Sequence, residues 1–193
     1  MKLNARHVII FLLLILLSVA FAFGFDAAST AVERRQYPQP KELADSVKQA
    51  SQEHGIPEAI LWATLCTGSD FASNHVSDSG EIGLMQLTPA QFDFICTELW
   101  GKEPMDAGML YDPDTNLQAG SAYLSYLYTR YGVWEQVFAA YASDTETVNA
   151  WLSDPAYVSP QGVLKDIPDA RVAAYVKDMT QAVELYTKLY YQS

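Results

Sequence analysis

From Pro40 to the C-terminus, apolar side chains return every three or four residues, and no stretch shows the two-residue alternation of a convincing strand core. That rhythm restricts the chain to helices packed on helices. Leu43, Val47 and Ala50 fall at i, i+4 and i+7, with Gly55 as the stop. Pro57 suits a first helical position, and Ile60, Leu61, Thr64 and Leu65 line one face of a second helix. Residues 72–83 are polar and contain glycine, which reads as a loop. Pro89 opens a third helix that runs to about Leu99. Asp112-Pro113 is a turn, and a long helix over residues 114–131 ends at Gly132. Shorter helices are predicted at 134–142 and 145–152. Residues 155–168 form a second long loop, and the last helix aligns Val172, Tyr175, Val176, Met179, Val183 and Tyr186 on one face. The loops have room for a short hairpin. No internal repeat is present. The expectation is an all-α globule of six or seven helices.

The chain has 193 residues, half of them hydrophobic, enough for one domain with a real core. Twelve basic residues against 23 acidic ones leave a net charge of −11. With no basic run, a nucleic-acid partner is not expected. Three His and two Cys without a Cys-x-x-Cys pair do not make a zinc module, and no metal site is expected. Cys66 and Cys96 fall on the second and third helices. Outside a cell a disulfide between them is permitted, and two separate buried thiols are the alternative. Neither has a clear His partner, so a Cys nucleophile is not expected.

Lys2 and Arg6 precede residues 8–25, an uncharged and mostly apolar run of 18 residues. A positive flank before such a run reads as an export signal. Its length approaches the ~20 residues of a membrane span, so residues 1–25 are expected to be retained as an anchor. The basic side then stays in the cytoplasm and the rest faces outward. Ala20-Phe21-Ala22 fits an A-x-A cleavage site, and release after Ala22 is the alternative. Either fate leaves residues 26–39 as a linker and residues 40–193 as the domain, both extracytoplasmic. The exported part carries 10 basic and 23 acidic residues, a net of −13, so membrane contact is expected through the N-terminal segment only.

The most specific stretch is Ser77-x-x-Gly80-x-x-Gly83-Leu84-Met85-Gln86-Leu87-x-Pro89. It resembles the signature of the lytic murein transglycosylase SLT domain, a lysozyme-like family that cleaves peptidoglycan strands. Three further segments resemble the family in its order. Leu110-x-Asp112-Pro113-x-x-Asn116-Leu117-x-x-Gly120-x-x-Tyr123-Leu124 is similar to its central helix. Ala139-Ala140-Tyr141 is similar to the start of its Ala-Ala-Tyr-Asn-Ala-Gly motif, and Tyr175-Val176, after Ile167-Pro168, to the end of its Glu-Thr-Arg-x-Tyr-Val motif. The resemblance spans about residues 40–190 and implies an all-α, lysozyme-like fold.

It also implies a non-hydrolytic reaction. One carboxylic acid protonates the glycosidic oxygen between N-acetylmuramic acid and N-acetylglucosamine. The same group then acts as base while the muramyl C6 hydroxyl closes a 1,6-anhydro ring. No metal or organic cofactor enters. A single Glu held protonated by an apolar cleft serves both steps, unlike the two-carboxylate scheme of most glycosidases.

The family's Glu opens a Glu-Ser-x-Phe motif at the end of the second helix. Here the aligned stretch is Gly68-Ser69-Asp70-Phe71, so Gly68 holds the acid position and reads locally as a helix stop. Two other motifs depart as well. Asn-Ala-Gly is replaced by Ala142-Ser143-Asp144, and Glu-Thr-Arg by Arg171-Val172-Ala173. The resemblance places all three departures around one cleft. Glu81, beside the Gly-Leu-Met-Gln turn, is the first candidate for a substitute acid, and Asp70 the second. Asp144 replaces the family's Gly near Tyr141. The plain reading of each is a solvated surface acid. Tyr141 and Tyr175 match cleft positions, where their rings are expected to stack on sugar faces; core packing is the alternative. Met85 and Gln86 are expected on the cleft floor against N-acetyl groups, with Ser69 and Ser77 as hydrogen-bonding groups. The functional expectation is a domain that acts on or binds peptidoglycan strands, with catalysis reduced or lost. The rival is a cell-wall scaffold that no longer binds sugar.

Overall fold

The computed structural model describes residues 14–18 and 29–192. The chain divides into two units, Met1–Pro38 and Gln39–Ser193. In the first, residues 14–18 and 29–36 are helical. No helix among the described residues is long and apolar enough to cross a membrane. The anchor or signal expected over residues 1–25 lies, apart from 14–18, outside the described residues.

The second unit is built of helices joined by loops and contains α1 (Ala44–His54), α2 (Glu58–Ser69), α3 (Pro89–Phe94), α4 (Pro113–Tyr131), α5 (Trp134–Ala142), α6 (Thr145–Ser153) and α7 (Ala170–Tyr186). Its centre is α2, of whose 12 residues Ala59, Ile60, Leu61, Trp62, Ala63, Thr64, Leu65 and Ser69 are buried. A helix apolar on every side is driven to the middle of a bundle. The helix α7 packs along it and α5 packs on α7, while α4 joins α5 to α1. On α7 the buried stripe is Val172, Val176, Met179, Ala182 and Tyr186, one side chain for each turn. Each fully buried aliphatic side chain contributes roughly 1.5–3 kcal/mol, so this centre holds the rest in place.

Side chains mark most helix starts. Thr88 accepts from Gln91 N–H, and the Gln91 side chain returns the bond to Thr88 N–H, a complete capping box. Asp112, Asp144 and Asp169 cap α4, α6 and α7 by accepting from Thr115, Thr147, and Arg171 with Val172. Such caps contribute ~1 kcal/mol each. Pro57, expected as the first helical residue, sits instead at the N-cap of α2, one residue before the helix begins at Glu58. The third helix reaches its expected end near Leu99 by opening into a π turn, Ile95–Leu99, and the last helix continues into another, Thr187–Tyr191.

One expected boundary is corrected. Gly68 is not the stop of α2, because the helix runs through it to Ser69. The reversal falls on Asp70 (φ 48°) and Phe71 (φ 64°), both left-handed. Asp70 N–H bonds Cys66 O at 3.3 Å and Phe71 N–H bonds Leu65 O at 3.2 Å, closing the helix end. Asp tolerates this conformation well, and the Phe71 ring is held against Trp62 at 6.3 Å. In place of a hairpin, the two long loops carry isolated bridges, Val76 with Ile82, Ile82 with Leu87, and Val158 with Leu164. Neither Cys66 nor Cys96 is in a disulfide. Burial pushes the Cys66 thiol up; the Tyr186 hydroxyl draws it down and the Asp70 charge raises it further.

Candidate functional site

The stretch after Gly80 forms a tight knot rather than an open loop. Ser77 N–H bonds Glu81 O at 2.9 Å, and Gly80 N–H bonds Ser77 O at 2.9 Å. Gly83 has φ 80°, and a Cβ there would strike Asn116 Nδ2 and Leu110 O, so only glycine fits. Gly120 is close-packed for another reason: a Cβ would meet Met85 Sδ at 2.5 Å and Met85 Cβ at 2.8 Å. Two of the sequence's glycines are therefore explained by one contact between this turn and α4.

Asn116 clamps that contact. It is fully buried. Its Oδ1 accepts from Met85 N–H at 2.7 Å, and its Nδ2 donates to Ile82 O at 2.9 Å and Leu110 O at 2.8 Å. From the far side, Ser69 Oγ donates to Leu84 O at 2.7 Å and Tyr141 Oη donates to Met85 O at 2.8 Å. The turn is thus gripped by α2, α4 and α5 through backbone groups that would otherwise be orphaned.

Beside it opens a cavity of about 170 Å³ whose walls include Gly68, Ser77, Glu81, Gln86, Arg171 and Tyr175. Thr67, His75, Met85, Tyr141 and Ala142 complete the lining. A second cavity, of about 260 Å³, shares Glu81, Tyr141 and Ala142 with the first and continues past Gln91, Tyr123 and Asp144. Residues from α2, the turn, α5 and α7 meet here, which brings the three departing segments, around Gly68, Ala142 and Arg171, to one place.

The expected site residues fall into two groups. Ser77, Glu81, Gln86 and Tyr175 reach the cavity with part of their surface open. Glu81 Oε2 accepts from Ser77 Oγ at 2.6 Å. Gln86 is strained at φ 54° and anchored by its Nε2, which donates to Gly83 O at 2.8 Å and His75 O at 3.3 Å. The other group is structural. Ser69 is buried with its hydroxyl spent on Leu84 O, so it is not free to meet a ligand. Met85 is fully buried, its side chain against Gly120, so it does not present its thioether to an N-acetyl group. Tyr141 borders both cavities but is only 6% exposed, with its hydroxyl spent on Met85 O. Asp70 is exposed at the end of α2 and does not line the cavity.

Gly68 itself faces the cavity. A Cβ at this position would lie 3.3 Å from Gln86 Cγ, so Gln86 occupies part of the room a side chain would need. Among the described residues, Glu81 is the one carboxylate that lines this cavity, and Arg171 the one Lys or Arg. Tyr175 has its phenol held well above the ordinary range, first by burial and then by the Glu81 charge. Tyr141 is raised likewise, by burial first, then by Tyr175, Tyr123 and Glu81. Both remain protonated at neutral pH. No group of three or more His, Cys, Asp or Glu is placed to hold a metal ion among the described residues. Sequence reasoning assigned no role to Asn116, His75 or Thr67. Asn116 lay inside a quoted motif, and its burial in a polar position was the signal to follow.

The profile of the transglycosylase SLT domain matches residues 45–159. The chain belongs to that family. It is 34% identical over 90 residues to a membrane-bound lytic murein transglycosylase C of Edwardsiella ictaluri (strain 93-146), covering 45% of this chain and 24% of that protein. It is 27% identical over 143 residues to the soluble lytic murein transglycosylase of Escherichia coli (strain K12), covering 72% of this chain and 22% of that protein. The chain therefore spans about a quarter of the length of these relatives. In structure it resembles a 70-kDa soluble lytic transglycosylase in complex with bulgecin A, with a TM-score of 0.73 at 24% identity over 83% of this chain and 26% of that one. The crystal structure of the same-sized enzyme SLT70 from Escherichia coli gives 0.70 at 24% identity over 81% and 25%. The SLT domain here has the all-α, lysozyme-like fold.

Proposed function

We propose that this SLT domain sits outside the cytoplasm, tethered by its N-terminal segment, and binds peptidoglycan glycan strands along the two joined cavities. We further propose that turnover is reduced or lost. Position 68 carries this reading: it faces the cavity at the end of α2, and glycine there supplies no proton. The family reaction needs one group that is first acid and then base. Tyr175 and Tyr141 stay protonated, and phenols held above their ordinary range are poor bases at neutral pH. Glu81 is the remaining carboxylate in the first cavity, engaged by Ser77. Asp144 borders the second cavity but is bound to Thr147 N–H at 2.7 Å and Thr147 Oγ1 at 2.8 Å.

What remains suits binding. Gln86, Ser77, Glu81 and Tyr175 offer polar edges around a half-apolar groove, the usual complement of a sugar. The test uses the full chain with isolated sacculi. Co-sedimentation with little or no release of anhydro-muropeptides is the expected result. Rapid release would overturn the loss of turnover. Absence of co-sedimentation would favour the second reading, a scaffold without sugar binding, which the burial of Tyr141, Met85 and Ser69 supports. Tethering is checked by fractionation: full-mass protein in the membrane pellet supports it, and a soluble form beginning at Phe23 refutes it.

A further inference from the structure

We propose that Arg171 makes the cavity beside Gly68 a binding site for a carboxylate carried by the glycan strand; this rests on the strand-binding reading above. Arg171 lies in the first turn of α7, is exposed, and lines the cavity together with one carboxylate, Glu81. Its Nη2 donates to Ala142 O at 2.7 Å, which fixes the guanidinium across the end of α5. Each nearby acid is committed elsewhere. Asp169 Oδ1 caps α7, accepting from Arg171 N–H at 2.8 Å and Val172 N–H at 3.0 Å. Glu81 is turned to Ser77 at 2.6 Å. Asp144, on the neighbouring cavity, is bound to Thr147. Among the described residues, no carboxylate forms an ion pair with Arg171.

A guanidinium carries five N–H donors in a planar fork, so most of this one is unspent. That fork matches the two oxygens of a carboxylate. The exported part has a net charge of −13, which repels anions in general, so capture of a carboxylate requires a local cation. The position also departs from the family pattern, where the aligned residue is an acid. Replacing that acid by Arg171 while Gly68 removes the other turns this end of the cavity from anionic toward cationic.

A peptidoglycan strand offers carboxylates from two sources. Muramic acid carries a lactyl carboxylate that is free once its stem peptide is removed, and an intact stem carries carboxylates of its own. Polymers of N-acetylglucosamine alone carry none. Glu81 shares the cavity, so its charge opposes the same ligand and its neutralisation should strengthen binding.

The full chain, in detergent, is titrated with three probes: muramyl glycan strands with intact stems, the same strands stripped of stems by an amidase, and oligomers of N-acetylglucosamine. The variants are Arg171→Gln and Glu81→Gln, each checked by melting. At least one carboxylated probe should bind the native chain, and Arg171→Gln should weaken it roughly tenfold or more. Glu81→Gln should tighten it, and the uncharged oligomer should bind all three proteins alike. Preference for stripped strands assigns the lactyl group, and preference for intact strands the stem. Unchanged binding of both carboxylated probes by Arg171→Gln overturns the proposal. So does equal weakening of all three probes, which would mean Arg171 only shapes the cavity. If no probe binds the native chain, the strand-binding reading fails and takes this one with it.

Discussion

Gly68→Glu asks whether one missing carboxylate separates this groove from a working one. Residue 68 lies within α2 and its φ is not among the left-handed ones, so a side chain meets no backbone penalty. Replacing glycine by a good helix former there gains up to ~1 kcal/mol, part of it from the unfolded chain. Crowding opposes this. The new Cβ would lie 3.3 Å from Gln86 Cγ and 3.7 Å from Gln86 Cβ, and Gln86 is tied by its amide to Gly83 O and His75 O. Moving that side chain off its preferred rotamer costs about 0.5–1.5 kcal/mol. The two effects nearly cancel, so the melting temperature should move by no more than roughly 2–4 °C. Gly68→Ala carries the helix and crowding effects without the acid and serves as the control. A positioned general acid–base contributes ~10²–10⁴-fold. Gly68→Glu should therefore release anhydro-muropeptides from sacculi well above both Gly68→Ala and the native chain. Recovery should be partial, because Ala142, Ser143, Asp144, Arg171, Val172 and Ala173 remain. If Gly68→Glu is folded, binds sacculi and yields no more product than Gly68→Ala, the reasoning that position 68 limits catalysis is refuted.

Asn116→Ala should cost at least ~3 kcal/mol in urea unfolding, since Met85 N–H, Ile82 O and Leu110 O would each lose a buried partner worth about 1–3 kcal/mol; a loss under ~1 kcal/mol would show that the turn holds itself. Burial, opposed by the Gln91 hydrogen bond, pushes the Tyr123 phenol to about 12 from an ordinary 10. The folded state therefore keeps the proton longer than the unfolded one, so this contribution is complete below pH 10 and is lost as pH rises toward 12. Urea midpoints should fall more steeply between those values for the native chain than for Tyr123→Phe, and parallel curves would count against the burial argument. Without reductant, both Cys66 and Cys96 should react with a thiol reagent after unfolding; in the folded chain Cys66 should react slowly, because burial holds it as a thiol. Detection of a linked Cys66–Cys96 peptide would contradict the absence of a disulfide between them.

The local signals were strong enough to be read from residues alone. Apolar spacing together with Pro and Gly signals located α1 to α7, because a 3.6-residue period buries one stripe whatever the helix packs on, while the short 3-10 helices Lys41–Leu43 and Ala107–Tyr111 were not foreseen. Gly55 and Gly132 marked ends that need a left-handed residue, and both adopt φ near 67° and 66°. The end of α2 escaped that logic. Glycine at 68 looked like a stop, but Asp70 and Phe71 take the left-handed positions, with Phe71 tied back to Leu65 O and packed on Trp62. That choice belongs to tertiary packing, and it keeps Gly68 helical and facing the cavity. Motif spacing brought Gly68, Ser77, Glu81, Gln86, Tyr141 and Tyr175 together as candidates. It did not separate those that face the cavity from those that build its walls. Ser69, Met85 and Tyr141 are tied to the backbone and core around the turn by hydrogen-bond partners 15 to 56 residues away, and Asp70 lies outside the lining. Burial and partner choice are properties of the packed whole, so the role of Asn116 as a clamp and of Arg171 as an unpaired cation became visible only when α2, α4, α5 and α7 were in place.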